Sequence, residues 1–281
     1  MDSLNYLQIN FSVEEIEQEM LIAYLDLLNF DAFEQSSNEV KAFIEKSALN
    51  MEEVNSICQK LQIKSPTISQ IQDKNWNEEW EKNFPDSKID NQIHVRASFH
   101  NRDESFPIEI IIEPKMSFGT GSHATTFQVM QAMLKEDFNN KSVIDIGSGT
   151  GILAILSEKL GASSILAIDY DHWCVTNMEE NKKLNHSNIQ LAQCDVLKKN
   201  DLLNLVAENK YDFILANLNR NLLDATFPQL KSLLKDNTCL ITSGYYQEDT
   251  EIIKKSVENN LSLKCVNQLT KNNWTVNIFK K

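Results

Sequence analysis

The sequence predicts an α/β protein: an open, largely parallel sheet that ends in an antiparallel hairpin, preceded by a small α+β domain. Three observations carry that prediction. Residues 141–156, KSVIDIGSGTGILAIL, run from a strand rich in β-branched residues through a glycine loop into a helix. From there strand and helix patterns alternate down the chain, which is how parallel strands are joined. The final two strand patterns, residues 261–269 and 274–279, have no helix between them, so one strand must run against its neighbours.

Composition narrows the setting. A chain of 281 residues holds one large domain or two modest ones. No run of 18 apolar residues predicts a membrane span, and the opening MDSLNYLQINF lacks the basic and apolar regions of a secretory signal. Cys58, Cys174, Cys194, Cys239 and Cys265 are scattered singly, which argues for a reduced, cytoplasmic setting and against a disulfide framework. The five histidines are equally dispersed, so no metal site is expected. Residues 1–85 carry 16 acids against 6 basic residues, whereas residues 86–281 carry 24 against 21. So acidic a front end disfavours contact with nucleic-acid phosphates and suits a basic protein partner. Plain solubility explains the charge equally well.

The front domain, residues 1–72, reads β-α-β-β-α-β, the order of a ferredoxin-like fold. Residues 4–11 alternate as a strand. Ser12 with Glu15 forms a capping box for a helix whose apolar side is Val13, Ile16, Met20, Ala23 and Leu27. Residues 30–33 and 40–44 are strands around a polar Ser36-Ser37-Asn38 turn, 51–61 a second helix and 67–72 a last strand. No catalytic constellation stands out here, and substrate recognition is the expected role. Residues 73–90 form the expected linker. Trp76 and Trp80 share a helical face with Phe84 next along, for packing between domains or, as a second possibility, for facing substrate.

Residues 91–281 form the expected catalytic domain. Residues 89–98 and 108–112 are strand-like and lead to an unusual loop, Glu113-Pro114-Lys115-Met116-Ser117-Phe118-Gly119-Thr120-Gly121-Ser122-His123-Ala124-Thr125-Thr126. Its glycines permit close approach and its hydroxyls can bond a carboxylate or backbone group. His123 is a structural holder of the loop or a proton acceptor. A helix follows at 127–134.

The glycines Gly147, Gly149 and Gly151 alternate, one residue tighter than the dinucleotide-binding spacing. Such a loop lets backbone N–H groups approach a ligand at a helix N-terminus. The strand 164–168 ends at Asp169, where a carboxylate meets ribose hydroxyls or, as a second reading, only caps the next helix; Asp171 starts that helix as a cap. In the helix 172–184, His172, Trp173 and Cys174 read as packing residues. The strand 189–194 ends at Asp195, which either meets an adenine amino group or caps a turn. After a helix at 198–206, the strand 211–215 ends in Ala216-Asn217-Leu218-Asn219, which puts an amide acceptor at the ligand crevice. A helix at 221–234, a strand at 238–243 ending at Gly244, and a helix at 249–259 precede the hairpin.

The loop Asp145-Ile146-Gly147-Ser148-Gly149-Thr150-Gly151, Asp169 and the terminal hairpin resemble the seven-stranded, Rossmann-like class I methyltransferases that use S-adenosylmethionine. The stretch Phe118–Thr126 together with Ala216-Asn217-Leu218 resembles the ribosomal protein L11 methyltransferases, the PrmA type, and the likeness spans nearly the whole chain. The resemblance implies cofactor contacts at Thr126, Gly147, Asp169 and Asn217, with Gly149, Phe118, Gly119 and Thr120 beside them. It implies methylation of lysine side chains and the N-terminal amine of the basic ribosomal protein; with the cysteine usage, the acidic front and the lack of an apolar run, the expected setting is the cytoplasm, with no direct nucleic-acid or membrane partner, and a monomer is expected. The family's loop often has Asp-Pro-Gly and a proline after the histidine; this chain has Glu113-Pro114-Lys115 and Ala124.

Asn217 is the expected catalytic residue: its carbonyl accepts N–H bonds from the amine and aims the lone pair. Two other readings stay open. A glutamine- or nucleobase-amino methyltransferase commonly carries Asn-Pro-Pro-aromatic, whereas Asn217 is followed by Leu218-Asn219. A non-catalytic binding module would keep the fold without turnover. One site serving several amines further predicts that the front domain swings on its linker.

Overall fold

The computed structural model describes residues 6–70, 84–113, 121–206 and 209–281. It divides into two compact units, residues 1–83 and 84–281. The expected Trp76 and Trp80 face, and the loop residues Phe118, Gly119 and Thr120, lie outside the described residues.

The first unit runs β1 (Tyr6–Ser12), α1 (Glu15–Asp26), β2 (Ala32–Ser36), β3 (Glu39–Glu45), α2 (Met51–Leu61) and β4 (Thr67–Gln70). Its sheet order is β2-β3-β1-β4, every pair antiparallel. Ile9, Phe11, Leu21, Leu25, Val40, Ile44 and Val54 fill the core beneath the helices. Asn50 caps α2 by accepting from the Glu52 and Glu53 N–H groups at 3.1 and 3.5 Å.

The expected capping box at Ser12 does not form. Ser12 still pairs with Glu39 in the ladder and the Val13 N–H donates to the Asn38 carbonyl at 3.1 Å, so the chain leaves the sheet later. The residue before α1 is Glu14, which makes no side-chain cap. The helix then buries Gln18, Leu21 and Leu25, while Met20 and Leu27 are 57% and 76% exposed. Gln18 is tolerated inside because its amide donates to the Ser36 carbonyl at 2.7 Å.

The second unit opens with β5 (Ser87–Ile89), β6 (Ile93–Arg96) and β7 (Ile108–Ile111), a small separate sheet in that order. The single strand expected at 89–98 is instead the turn and second arm of a hairpin. Asp90 and Asn91 have φ of 47° and 52°, the two positive values of a tight hairpin turn that Asp and Asn tolerate. Then follow α3 (Ala124–Met133), β8 (Ser142–Ile146), α4 (Ile152–Lys159), β9 (Ser164–Asp169), α5 (His172–Leu184) and β10 (Gln190–Gln193). The chain continues through α6 (Lys199–Val206), β11 (Tyr211–Asn217), α7 (Arg220–Leu230), β12 (Leu234–Tyr246), α8 (Thr250–Leu261), β13 (Lys264–Lys271) and β14 (Trp274–Lys280).

These strands form one seven-stranded sheet, β10-β9-β8-β11-β12-β14-β13. The first five are parallel and β14 runs against both neighbours, as the terminal hairpin requires. Strand residues alternate between two cores. Val143, Phe213 and Leu215 pack with α3 and α4 on one face, while Ile144, Ile214 and Ala216 pack with α7 and α8 on the other. The strand order reverses between β8 and β11. That switch point opens a crevice beyond their carboxyl ends, where ligands bind in sheets of this kind. Among the described residues no helix is long and apolar enough to cross a membrane.

Candidate active site

A cleft of about 670 Å³ opens at those strand tips. That is the size of a pocket for one small molecule. Four chain segments meet in its wall: Gly147 and Gly149 after β8, Asp169 to Asp171 after β9, Asp195 to Leu197 after β10, and Asn217 to Asn219 after β11. His123, Thr125, Cys174, Gly244 and Trp274 also line it.

The glycine loop turns back on itself: the Gly147 and Ser148 N–H groups both donate to the Ile168 carbonyl, at 2.9 and 3.0 Å. Gly147 has φ of 68°, and a Cβ there would fall into the Leu218 side chain. Gly244, with φ of 95°, meets the backbone of the same residue from the next strand. Leu218 is fixed in turn by its N–H on the Ser243 carbonyl at 3.0 Å. Two glycines far apart in sequence thus pack against one residue, Leu218.

The Asp169 carboxylate is buried, and each oxygen holds a backbone N–H: Gly149 at 3.0 Å and Asp171 at 3.0 Å. Two acceptors remain for a ligand, since a carboxylate offers about four lone-pair positions. Asp171 caps α5 through the Trp173 N–H at 2.9 Å. Asp195 accepts the Leu197 N–H at 3.1 Å, so it caps a turn while it lines the cleft. His123 caps α3, accepting the Thr125 N–H at 3.3 Å, and its ring meets Trp274 edge-on at 5.1 Å.

The Asn217 side chain, in the cleft wall, meets Thr126, which is buried behind it and does not line the cleft. The Asn217 amide donates from Nδ2 to Thr126 Oγ1 at 3.3 Å. Its carbonyl oxygen, Oδ1, is buried and has no hydrogen-bond partner among the described residues. A buried acceptor without a donor costs stability on its own and is satisfied by a ligand that brings an N–H or O–H group.

Beneath the glycine loop Asp145 is fully buried. Burial pushes its carboxyl up to about 7, against the Ser148 hydroxyl and the Ala154 N–H, which favour the ionised form; the nearby Asp169 charge adds to the rise. Ser148 Oγ donates to Asp145 Oδ2 at 2.5 Å.

The comparisons with known proteins converge on one family. The model described as Ribosomal protein L11 methyltransferase (PrmA) matches residues 9–281. The chain belongs to that family. A ribosomal protein L11 methyltransferase of Phocaeicola vulgatus is 33% identical to it over 282 residues, covering 96% of this chain and 97% of the relative. One from Porphyromonas gingivalis is 38% identical over 265 residues, covering 92% and 89%. Among solved structures, a ribosomal protein L11 methylase from Lactobacillus delbrueckii subsp. bulgaricus is 26% identical with a TM-score of 0.62, covering 70% of this chain and 98% of that one.

Within this L11 methyltransferase family member, Gly147, Gly149, Asp169 and Asn217 stand together in the cleft wall, whereas Thr126 is buried behind it and reached only through Asn217. Sequence reasoning assigns no role to Leu218 or Trp274 in the cleft wall, yet both stand there. Leu218 gives no local signal, because what marks it is its contact with glycines on two other segments. Trp274 opens β14 directly after Asn272 and Asn273, whose φ of 53° and 66° make the hairpin turn. Only the return of that strand to the sheet carries its ring to the cleft. Of the three residues expected to pack at the start of α5, Cys174 lines the cleft and Trp173 is 75% exposed. The helix buries Asn177, Met178 and Asn181, which turns the first-turn tryptophan outward.

Proposed function

We propose that this chain transfers methyl groups from S-adenosylmethionine to lysine side chains and the N-terminal amine of ribosomal protein L11. The observation that carries the reading is the buried Asn217 Oδ1, which has no partner among the described residues, beside a cleft shaped by Gly147 and Gly244. Gly147, Gly149, Asp169, Thr126 and Asn217 would hold the cofactor, with Asp169 toward the ribose hydroxyls. Phe118, Gly119 and Thr120 join them on the resemblance alone. When bound, the cofactor supplies an electrophilic sulfonium methyl.

The chain's own residues position and desolvate the nucleophile. An amine attacks only when neutral. A free lysine titrates near roughly 10.4 and an α-amine near roughly 7.7–8.0, so the lysine is the harder substrate at neutral pH. Entry into a cleft walled by Ile146, Ile168, Leu218 and Trp274 lowers an amine's pKa. Asn217 Oδ1 accepts an amine N–H, and its anchor on Thr126 fixes the direction of that bond. Residues 1–72, the acidic front of the chain, would receive the basic substrate, with residues 73–90 as the connection.

Replacing Asn217 by Ala should lower methyl incorporation into L11 by about a hundredfold, as for the loss of one preorganised polar group, and weaken cofactor binding by calorimetry far less. Equal loss of both, or loss of neither, removes Asn217 from this role. Methylation by the wild-type chain of a glutamine or nucleobase, with L11 left unmodified, would replace the substrate assignment.

A further inference from the structure

Asn177 and Asn181 lie on one face of α5, and Asn185 caps its end on the same side; all three face the open edge of β7. They act on it as a neighbouring strand would. Asn185 accepts the Ile111 N–H at 2.9 Å and donates to the Ile111 carbonyl at 2.6 Å. Asn181 accepts the Glu113 N–H at 2.8 Å, and Asn177 donates to the Glu113 carbonyl at 3.5 Å.

Asn181 differs from the other two. Its Nδ2 donates to the Thr150 carbonyl at 2.9 Å, inside the glycine loop. In a regular helix that carbonyl would receive the Ala154 N–H, four residues on. Here the Ala154 N–H goes to the buried Asp145 carboxyl. The loop peptides are turned by Gly149 and Gly151, with φ of 57° and 82°, and the Thr150 carbonyl is delivered to Asn181. Asn181 is wholly buried, so neither of its bonds is replaced by water when lost.

We infer that Asn181 is a positioning residue for the cofactor: it ties the glycine loop to Glu113 and sets the loop conformation that receives the nucleoside. The inference rests on the cofactor reading of the cleft given above. Asn181 touches neither reacting group, so its effect is on cofactor affinity and not on the chemical step.

The test is calorimetric titration of full-length wild type, Asn181→Leu and Asn185→Leu with S-adenosylmethionine, alongside thermal unfolding and turnover at saturating cofactor. Asn185→Leu is the matched control, since it also removes bonds to the β7 edge but none to the glycine loop. Asn181→Leu should weaken cofactor binding about tenfold, the equivalent of one buried peptide group left unpaired, while kcat at saturation is retained. Asn185→Leu should lower Tm with the affinity kept. Equal affinities in wild type and Asn181→Leu, or equal weakening in both variants, overturns the inference. If Asn181→Leu does not fold, Asn181→Asp keeps the acceptor for Glu113 and loses the donor to Thr150, and the same two outcomes decide. Failure of the wild type to bind the cofactor at all would count against the functional reading instead.

Discussion

Strands β8 and β11 lie side by side in the middle of the large sheet, and their two ends are built by opposite rules. At the amino ends Ser142, Asp212 and Lys235 close on one another. Ser142 Oγ and Lys235 Nζ reach Asp212 Oδ2 at 2.8 and 2.7 Å, and the Ser142 N–H reaches the same oxygen at 2.9 Å. At the carboxyl ends Asn217 keeps a buried oxygen with no donor among the described residues, and Asp145 is held where ionisation is costly. The two aspartates of neighbouring strands are driven apart: Asp145 up to about 7, Asp212 down to about 2. At the amino end each of these polar groups is paired within the fold; at the carboxyl end Asp145 is paired beneath the glycine loop, and Asn217 Oδ1 has no donor among the described residues.

The largest expected effect breaks this comparison at two glycines. Gly244 at the carboxyl end and Gly161 in the turn before β9 both have positive φ, 95° and 100°. A Cβ on Gly244 falls inside the Leu218 backbone, whereas one on Gly161 meets Asn139 Cα at 3.3 Å. Gly244→Ala should displace the Asn217-Leu218 segment and cut turnover by at least about a hundredfold. Gly161→Ala should cost on the order of 1–3 kcal/mol of stability with turnover intact at saturating substrates. Steady-state kinetics with urea unfolding of both variants separates the two ends; equal kinetic loss would mean the ends are not independent.

A smaller effect is expected in the pH dependence of Asp145. Its folded pKa lies above the unfolded value of 3.8, so the native state binds the extra proton between pH 3.8 and about 7. Stability from this group is therefore complete below pH 3.8 and is lost as pH rises through about 7. Asp145→Asn removes that titration. The stability difference between wild type and variant should change over this window by on the order of a few kcal/mol, with wild type relatively stronger at the acid end. Parallel denaturant curves across the window would show a constant difference if Asp145 does not titrate there.

What can be read from the sequence follows from how local each requirement is. The glycine loop, Asp169 and Asn217 announce themselves because a strand, a turn and the first residue beyond it are neighbours in the chain. The terminal hairpin is legible for the same reason. The phase of α1 is not, since it depends on Ser12 remaining paired to Glu39. Leu218 and Asn181 are also hidden: one is defined by Gly147 and Gly244, the other by Glu113 and Thr150, all brought close only by the fold. Asp90-Asn91 is a turn pair by residue type, but the apolar residues on either side read together as one strand and mask it.

The smallest effect belongs to the amino-end clamp. Partial burial works against the Asp212 charge, but the Lys235 ammonium and the two Ser142 bonds outweigh it and hold the carboxyl down to about 2. Its contribution is present above pH 3.8 and is lost as pH falls through about 2. The Lys235 side chain is 40% exposed, so solvent screens the pair and Asp212→Ala should cost only about 1 kcal/mol. Asp212 and Asn217 are separated along β11 by about 16 Å of extended chain, at the usual rise per residue. Turnover at saturation should therefore be unchanged in Asp212→Ala while the urea midpoint falls. A drop in kcat without a drop in midpoint would show that the clamp reaches the cleft, and the division between the two ends of the sheet would have to be given up.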